Sequence, residues 1–95
     1  MLASLHGKLE SLGSDWAIIN VQGIGFQVYL PASTLSMLGN RGEEVHLHTH
    51  LHLREDSVTL YGFADTKDRE LFQLLLSVSG IGPKLALAIL STMSV

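Results

Sequence analysis

Cysteine is absent from this sequence, which excludes disulfides and thiolate chemistry and fits a reducing compartment. Long apolar runs are absent too: nothing approaches the roughly 18 consecutive apolar residues that a bilayer-crossing helix needs. The opening Met1-Leu2-Ala3-Ser4-Leu5-His6-Gly7-Lys8 lacks the apolar stretch of a secretory signal, so a cytoplasmic protein with no membrane partner is expected. Basic charge is scarce. Six Lys and Arg face nine Asp and Glu, a formal net charge of −3, the wrong sign for a protein held to nucleic acid by a broadly basic surface. Protonating all five histidines moves the balance to +2, but only below about pH 6. Any nucleic-acid contact must rest on local geometry and a few placed cations. There is also no Walker loop, no Ser/His/Asp pattern and no convincing metal set, so neither catalysis nor a cofactor is expected.

What remains is an apolar sequence. With 46% hydrophobic and 16% charged residues, the chain can bury a real core. Its 95 residues suit one small domain or a barrel with an appended helical piece, and a chain so short is only marginally stable alone.

The first 63 residues read as strands. Leu5, Leu9 and Leu12 sit among polar neighbours in an imperfect alternation, and Gly13-Ser14-Asp15 is a turn cluster. Trp16 to Val21 is a β-branched, aromatic run. Gly23-Ile24-Gly25 then suits a tight hairpin or a bulge. Phe26, Val28 and Leu30 share the face of a third strand that Pro31 ends. Ala32 to Leu38 predicts a turn or two of helix. Glu44 to Arg54 predicts the longest strand, with Val45, Leu47, Thr49, Leu51 and Leu53 on one face and His46, His48, His50 and His52 on the other. Glu55-Asp56-Ser57 is a polar turn, and Val58 to Phe63 returns as a fifth strand. Five strands with a helical insertion before the fourth is an OB-fold count, a small β-barrel over residues 1–63.

From Asp65 the period becomes helical. Asp65 or Thr66 can cap, Asp68 and Glu70 suit the first turn, and Leu71, Leu74, Leu75 and Val78 form the expected buried stripe with Phe72 beside it. Ser79-Gly80-Ile81-Gly82 breaks the helix, Pro83 starts another, and it continues from Lys84 to Met93. The second helix has almost no polar face. A helix apolar all round must be buried all round, so further sequence or a partner is expected to cover it, and the chain is expected to be the first part of a longer protein. The fold class is α+β: the barrel, then a partial helix-hairpin-helix domain over residues 64–95.

Helix, Gly-Ile-Gly-Pro-Lys, helix is the pattern of a helix-hairpin-helix. Glycines at 80 and 82 let the backbone turn and approach a phosphate without a side chain intervening. The second helix starts with unpaired N–H groups and a partial positive charge, which together attract an anion. Pro83 removes one N–H, leaving the amides of Gly82, Lys84 and Leu85 to face the phosphate, with the Lys84 ammonium at the same place. Such a clamp reads backbone and not bases. The bland alternative is a helix–turn–helix corner with a glycine C-cap.

On these residues the chain resembles the RuvA family, the Holliday-junction-recognition subunits of the bacterial branch-migration machinery, along essentially its whole length. The resemblance is carried by Arg54-Glu55-Asp56, by Leu60-Tyr61-Gly62-Phe63, and by the run from Gly80-Ile81-Gly82-Pro83-Lys84-Leu85 to Ser91. Val21-Gln22-Gly23-Ile24-Gly25-Phe26 and Thr49-His50 also fit. The family implies sequence-independent binding of four-way junction DNA in recombination, repair and the SOS response, by a flat homotetramer. It implies DNA contacts at Gly80, Ile81, Gly82, Lys84 and Leu85. It implies an acidic pin at Glu55 and Asp56 that repels phosphates at the crossover, with Arg54 either steadying the pin or touching a phosphate. A second helix-hairpin-helix and a mobile C-terminal domain, which recruits the hexameric AAA+ motor RuvB, lie beyond what this sequence carries. Without the resemblance, Glu55 and Asp56 read as a solvated turn.

The histidine face is the remaining temptation. A His-x-His pair on a strand can chelate zinc, with His6 as a third ligand, against the plainer reading of a half-exposed barrel face or subunit contact. Single-strand binding needs exposed aromatics on a sheet face, and Phe26 and Tyr29 have opposite parity on their strand. A structural oligomerisation module is the other alternative.

Overall fold

A computed structural model describes residues 2–92. The strands β1 (Ser4–Leu12), β2 (Trp16–Val21), β3 (Ile24–Tyr29), β4 (Glu44–Leu53) and β5 (Val58–Phe63) close into a barrel in the order β1-β2-β3-β5-β4. Helix α1 (Ala32–Met37) lies between β3 and β4. Every pairing is antiparallel except β3 with β5, which run parallel through Val28↔Leu60 and Tyr29↔Tyr61. That is the OB arrangement.

The irregular alternation of β1 has a physical cause. Leu5 and Leu9 point into the barrel, and then the register with β2 shifts between Leu9 and Ser11. Such a bulge reverses inside and outside, so Leu12 pairs with buried Ala17 on the inner side, and its place at the strand end leaves it exposed. The β2–β3 turn sits one residue earlier than the Gly23-Ile24-Gly25 punctuation indicates. Gln22 (φ 51°) and Gly23 (φ 94°) form it, both left-handed as a two-residue hairpin turn demands, and Ile24 and Gly25 already belong to β3.

Inside the barrel, Leu9, Ile19, Val28, Leu30 and Leu47 are almost wholly shielded from water. Val45, Leu47 and Thr49 point inward from β4 as expected, whereas Leu51 is half-buried and Leu53 lies exposed where the strand leaves the barrel. Thr49 is a buried polar group with partners: its hydroxyl donates to the Leu2 carbonyl (2.6 Å) and its amide to that of Ala3 (2.9 Å).

Helices α2 (Thr66–Leu76) and α3 (Pro83–Thr92) cover the outer face of β5. Of the two expected caps, Asp65 serves: its carboxylate accepts from the Asp68 amide at 2.8 Å. The buried stripe of α2 differs from the expected one. Phe72 takes the centre, fully buried with its ring 4.9 Å from Phe63 and 5.0 Å from Tyr61, while Leu74 and Val78 face solvent. β5 presents aromatic rings on its outer face, and a phenylalanine buries more area against them than a leucine does.

Ala86, Leu87 and Leu90 of α3 complete this second core. The expectation of burial on every side is not met within the described residues, since Leu85 and Ala88 are exposed; Met93 lies outside them. Ser91 joins α3 to α1, its hydroxyl accepting from the Ala32 amide (2.9 Å) and donating to the Leu87 carbonyl (2.8 Å). No helix among the described residues is long and apolar enough to cross a membrane.

Candidate nucleic-acid interface

The chain between α2 and α3 is a tight corner held from within. The Ile81 amide donates to the Val78 carbonyl at 3.1 Å, and the Ile81 side chain packs into the helical core. Gly80 has φ 88°, a conformation that costs any residue with a Cβ about 1–2 kcal/mol. Gly82 is different. Its φ is not left-handed, and a Cβ built on it meets no atom within 4 Å. Neither strain nor internal crowding requires glycine there, so the small residue matters only to something that approaches from outside.

The start of α3 faces the same space. The Gly82 carbonyl accepts the first helical bond from Ala86 (3.0 Å), whereas the amides of Gly82, Lys84 and Leu85 have no acceptor among the described residues. Lys84 is exposed and lies in no ion pair among the described residues. Of the five expected contact residues, the corner thus gathers exposed Gly80, Gly82, Lys84 and Leu85, with half-buried Ile81 as the anchor beneath them.

Arg54, Glu55 and Asp56 form the tip of the β4–β5 hairpin, closed by the Arg54 amide donating to the Ser57 carbonyl at 2.8 Å. Both carboxylates are exposed, and Arg54 makes no ion pair with either. Instead the Arg54 charge reaches Tyr61, whose phenol is nevertheless held above its ordinary pKa by burial first and by Tyr29 second.

Outside these two features lies the histidine face. His6 and Glu44 form an ion pair across β1 and β4 when the imidazole is protonated (3.1 Å). His46 and His48 have ring centroids 5.0 Å apart. His50 departs from the row: its ring leans on Phe72 (5.5 Å) and its Nδ1 lies 3.2 Å from the Gln73 amide nitrogen. Burial holds its pKa below the usual value, with His52 and Arg69 adding to the effect. Among the described residues no three His, Asp or Glu side chains converge as a metal set.

One group of residues has no counterpart in the sequence reading. Tyr29 and Tyr61, paired across the parallel β3–β5 contact, line a groove of about 310 Å³ together with Asp15, Thr59, Lys84 and Leu87. Parity along a single strand cannot show this pair, because each tyrosine comes from a different strand. The one available signal was Tyr61 itself, two residues before the buried Phe63.

A family model described as RuvA N terminal domain matches residues 1–62, and one described as SAM-like helix-hairpin-helix tandem matches residues 72–95. Curated relatives carry the name Holliday junction branch migration complex subunit RuvA. That of Dehalococcoides mccartyi (strain CBDB1) is 53% identical over 94 residues, covering 99% of this chain and 48% of the relative. That of Chloroflexus aggregans is 52% identical over 92 residues, 97% of this chain and 47% of the relative. That of Actinobacillus pleuropneumoniae serotype 5b is 48% identical over 95 residues, 100% of this chain and 47% of the relative. The chain spans about half the length of the curated relatives it matches.

Proposed function

The chain belongs to the RuvA family, and from that premise we propose that it grips four-way DNA junctions by their backbone, without regard to sequence and without catalysing a reaction. The observation that carries this reading is the start of α3. Three amides and a lysine that have no partner among the described residues lie together at the start of α3, beside a glycine whose Cβ would meet no atom within 4 Å. Oxygen-rich, anionic phosphate fits that arrangement, and the side chains offer no means of telling one base from another there. It also reconciles the net charge of −3 with DNA binding, because backbone dipoles and a few cations replace a basic surface.

In this reading the exposed Glu55 and Asp56 stand at the crossover and hold phosphates away, while Arg54 beside them meets the strand. Four copies surround the junction, a separate ATP-driven RuvB motor moves the DNA, and the complex works in the cytoplasm in recombination and repair. These last points rest on the family. The test is binding of a labelled four-way junction against duplex of equal length: a clear preference for the junction is expected, and equal affinity for the two refutes it.

A second reading, a structural oligomerisation module, draws support from Leu74, Val78 and Leu85, which are 64%, 49% and 50% exposed. Sedimentation with and without junction DNA separates the two. Assembly with no DNA affinity favours the second.

A further inference from the structure

The groove between the barrel and α3 is not explained by the phosphate clamp. Its walls come from four places in the chain: Asp15 ahead of β2, Tyr29 at the end of β3, Thr59 and Tyr61 on β5, and Lys84 and Leu87 on α3. The two phenol rings lie 6.2 Å apart at 45°, and Phe72 backs Tyr61 at 5.0 Å, so the aromatic wall is held in place. Asp15 is fixed too, because its carbonyl accepts from the Leu30 amide at 2.9 Å. Its exposed carboxylate makes no ion pair among the described residues, even with Lys84 on the same groove.

The chemistry of this wall is mixed in a specific way. A bare phosphate suits Lys84 but not the carboxylate of Asp15. An apolar peptide suits the rings but leaves both charges without partners. A nucleotide satisfies all of them, with its phosphate on Lys84, its base against the tyrosines, and its N–H donors turned to Asp15. The position matters as much as the composition. Lys84 belongs to the clamp, and Thr59 and Tyr61 lead along β5 back to the hairpin of Arg54, Glu55 and Asp56.

We propose that this groove receives one unpaired nucleotide of the junction beside the crossover, its base resting on Tyr29 and Tyr61 and hydrogen-bonded to Asp15. The inference rests on the junction-binding reading above. A base separated from its partner at the hairpin loses both stacking and hydrogen bonds, and the groove replaces some of each. The preference for N–H donors is general to the edges of the four bases, so binding remains indifferent to sequence.

The test uses four-way junctions carrying 2-aminopurine at each position flanking the crossover in turn, with a distant dye whose anisotropy reports binding separately. With the unaltered chain, one position should change its fluorescence on binding while the others do not. Asp15→Asn, at an exposed site, keeps an acceptor oxygen but loses the charge. It should weaken junction binding by about 2- to 10-fold, the difference between a charged and a neutral hydrogen bond, and diminish that signal. Tyr61→Phe keeps the ring and should preserve it. Junctions that bind normally with no position responding overturn the groove and leave the clamp standing. Tighter binding by Asp15→Asn also overturns it, since the carboxylate then only repels phosphate. An anisotropy that never rises refutes junction binding itself, and the groove inference with it.

Discussion

Replacing Gly82 with alanine separates what the protein needs in order to fold from what it needs in order to bind. The native φ is one that alanine adopts, and the added methyl meets no atom within 4 Å. Alanine at such a site restricts the unfolded chain, so Gly82→Ala should stabilise by about 0.4–1 kcal/mol. For a chain of this size that raises Tm by about 2–8 °C. The same methyl stands where a phosphate would approach the free amides of Gly82, Lys84 and Leu85. Losing one hydrogen bond to a charged oxygen costs about 1.5–3 kcal/mol, or more than about tenfold in Kd. Gly82→Val should be worse. Gly80→Ala supplies the contrast, since its φ of 88° makes it a folding defect of about 1–2 kcal/mol. Thermal melts and junction-binding titrations on the same preparations give both numbers. A Gly82→Ala chain that melts higher and binds the junction unchanged would falsify the phosphate clamp.

Lys84→Ala should weaken binding to all DNA sequences alike and flatten the dependence of log K on log salt by about 0.9, one phosphate contact; an unchanged slope places Lys84 off the DNA. Neutralising the hairpin with Glu55→Gln and Asp56→Asn should tighten binding or reduce the preference for junction over duplex, and a clear loss of affinity means the pair acts as a ligand or a brace. Stability should fall on acidification through His50. Its folded pKa lies below the unfolded value near 6.5, so the unfolded chain takes up the proton first, and stability present above that value is lost as pH falls through it towards the folded pKa. Urea midpoints at a series of pH values should show this loss, and His50→Gln should reduce it; an identical pH profile in the variant excludes His50 as the source.

Much of this protein was legible in its residues because the signals were local. A β-branched run bounded by turn residues specifies β2 and β5 without help from the rest of the chain. Pro83 after Gly82 specifies where α3 begins, and Asp65-Thr66 specifies a cap at one of two adjacent positions. The free amides at the start of α3 were legible for the same reason, being a property of six consecutive residues, and so was the exposed turn at Glu55 and Asp56.

What only the tertiary structure decided is where distant segments meet. The stripe of α2 was misjudged because Leu71, Leu74, Leu75 and Val78 satisfy helical periodicity as well as the true face does. The choice of Phe72 over Leu74 was made by the aromatic rings that β5 turns outward. The two glycines of the corner look equivalent in sequence, yet only the backbone path shows that Gly80 answers to conformation and Gly82 to open space. The Tyr29–Tyr61 groove needed still more. It exists because closing the barrel brings β3 and β5 together in parallel and then lays α3 across their ends. Strand parity is a rule about neighbours along one strand, and it carries no information about which strands become neighbours in space.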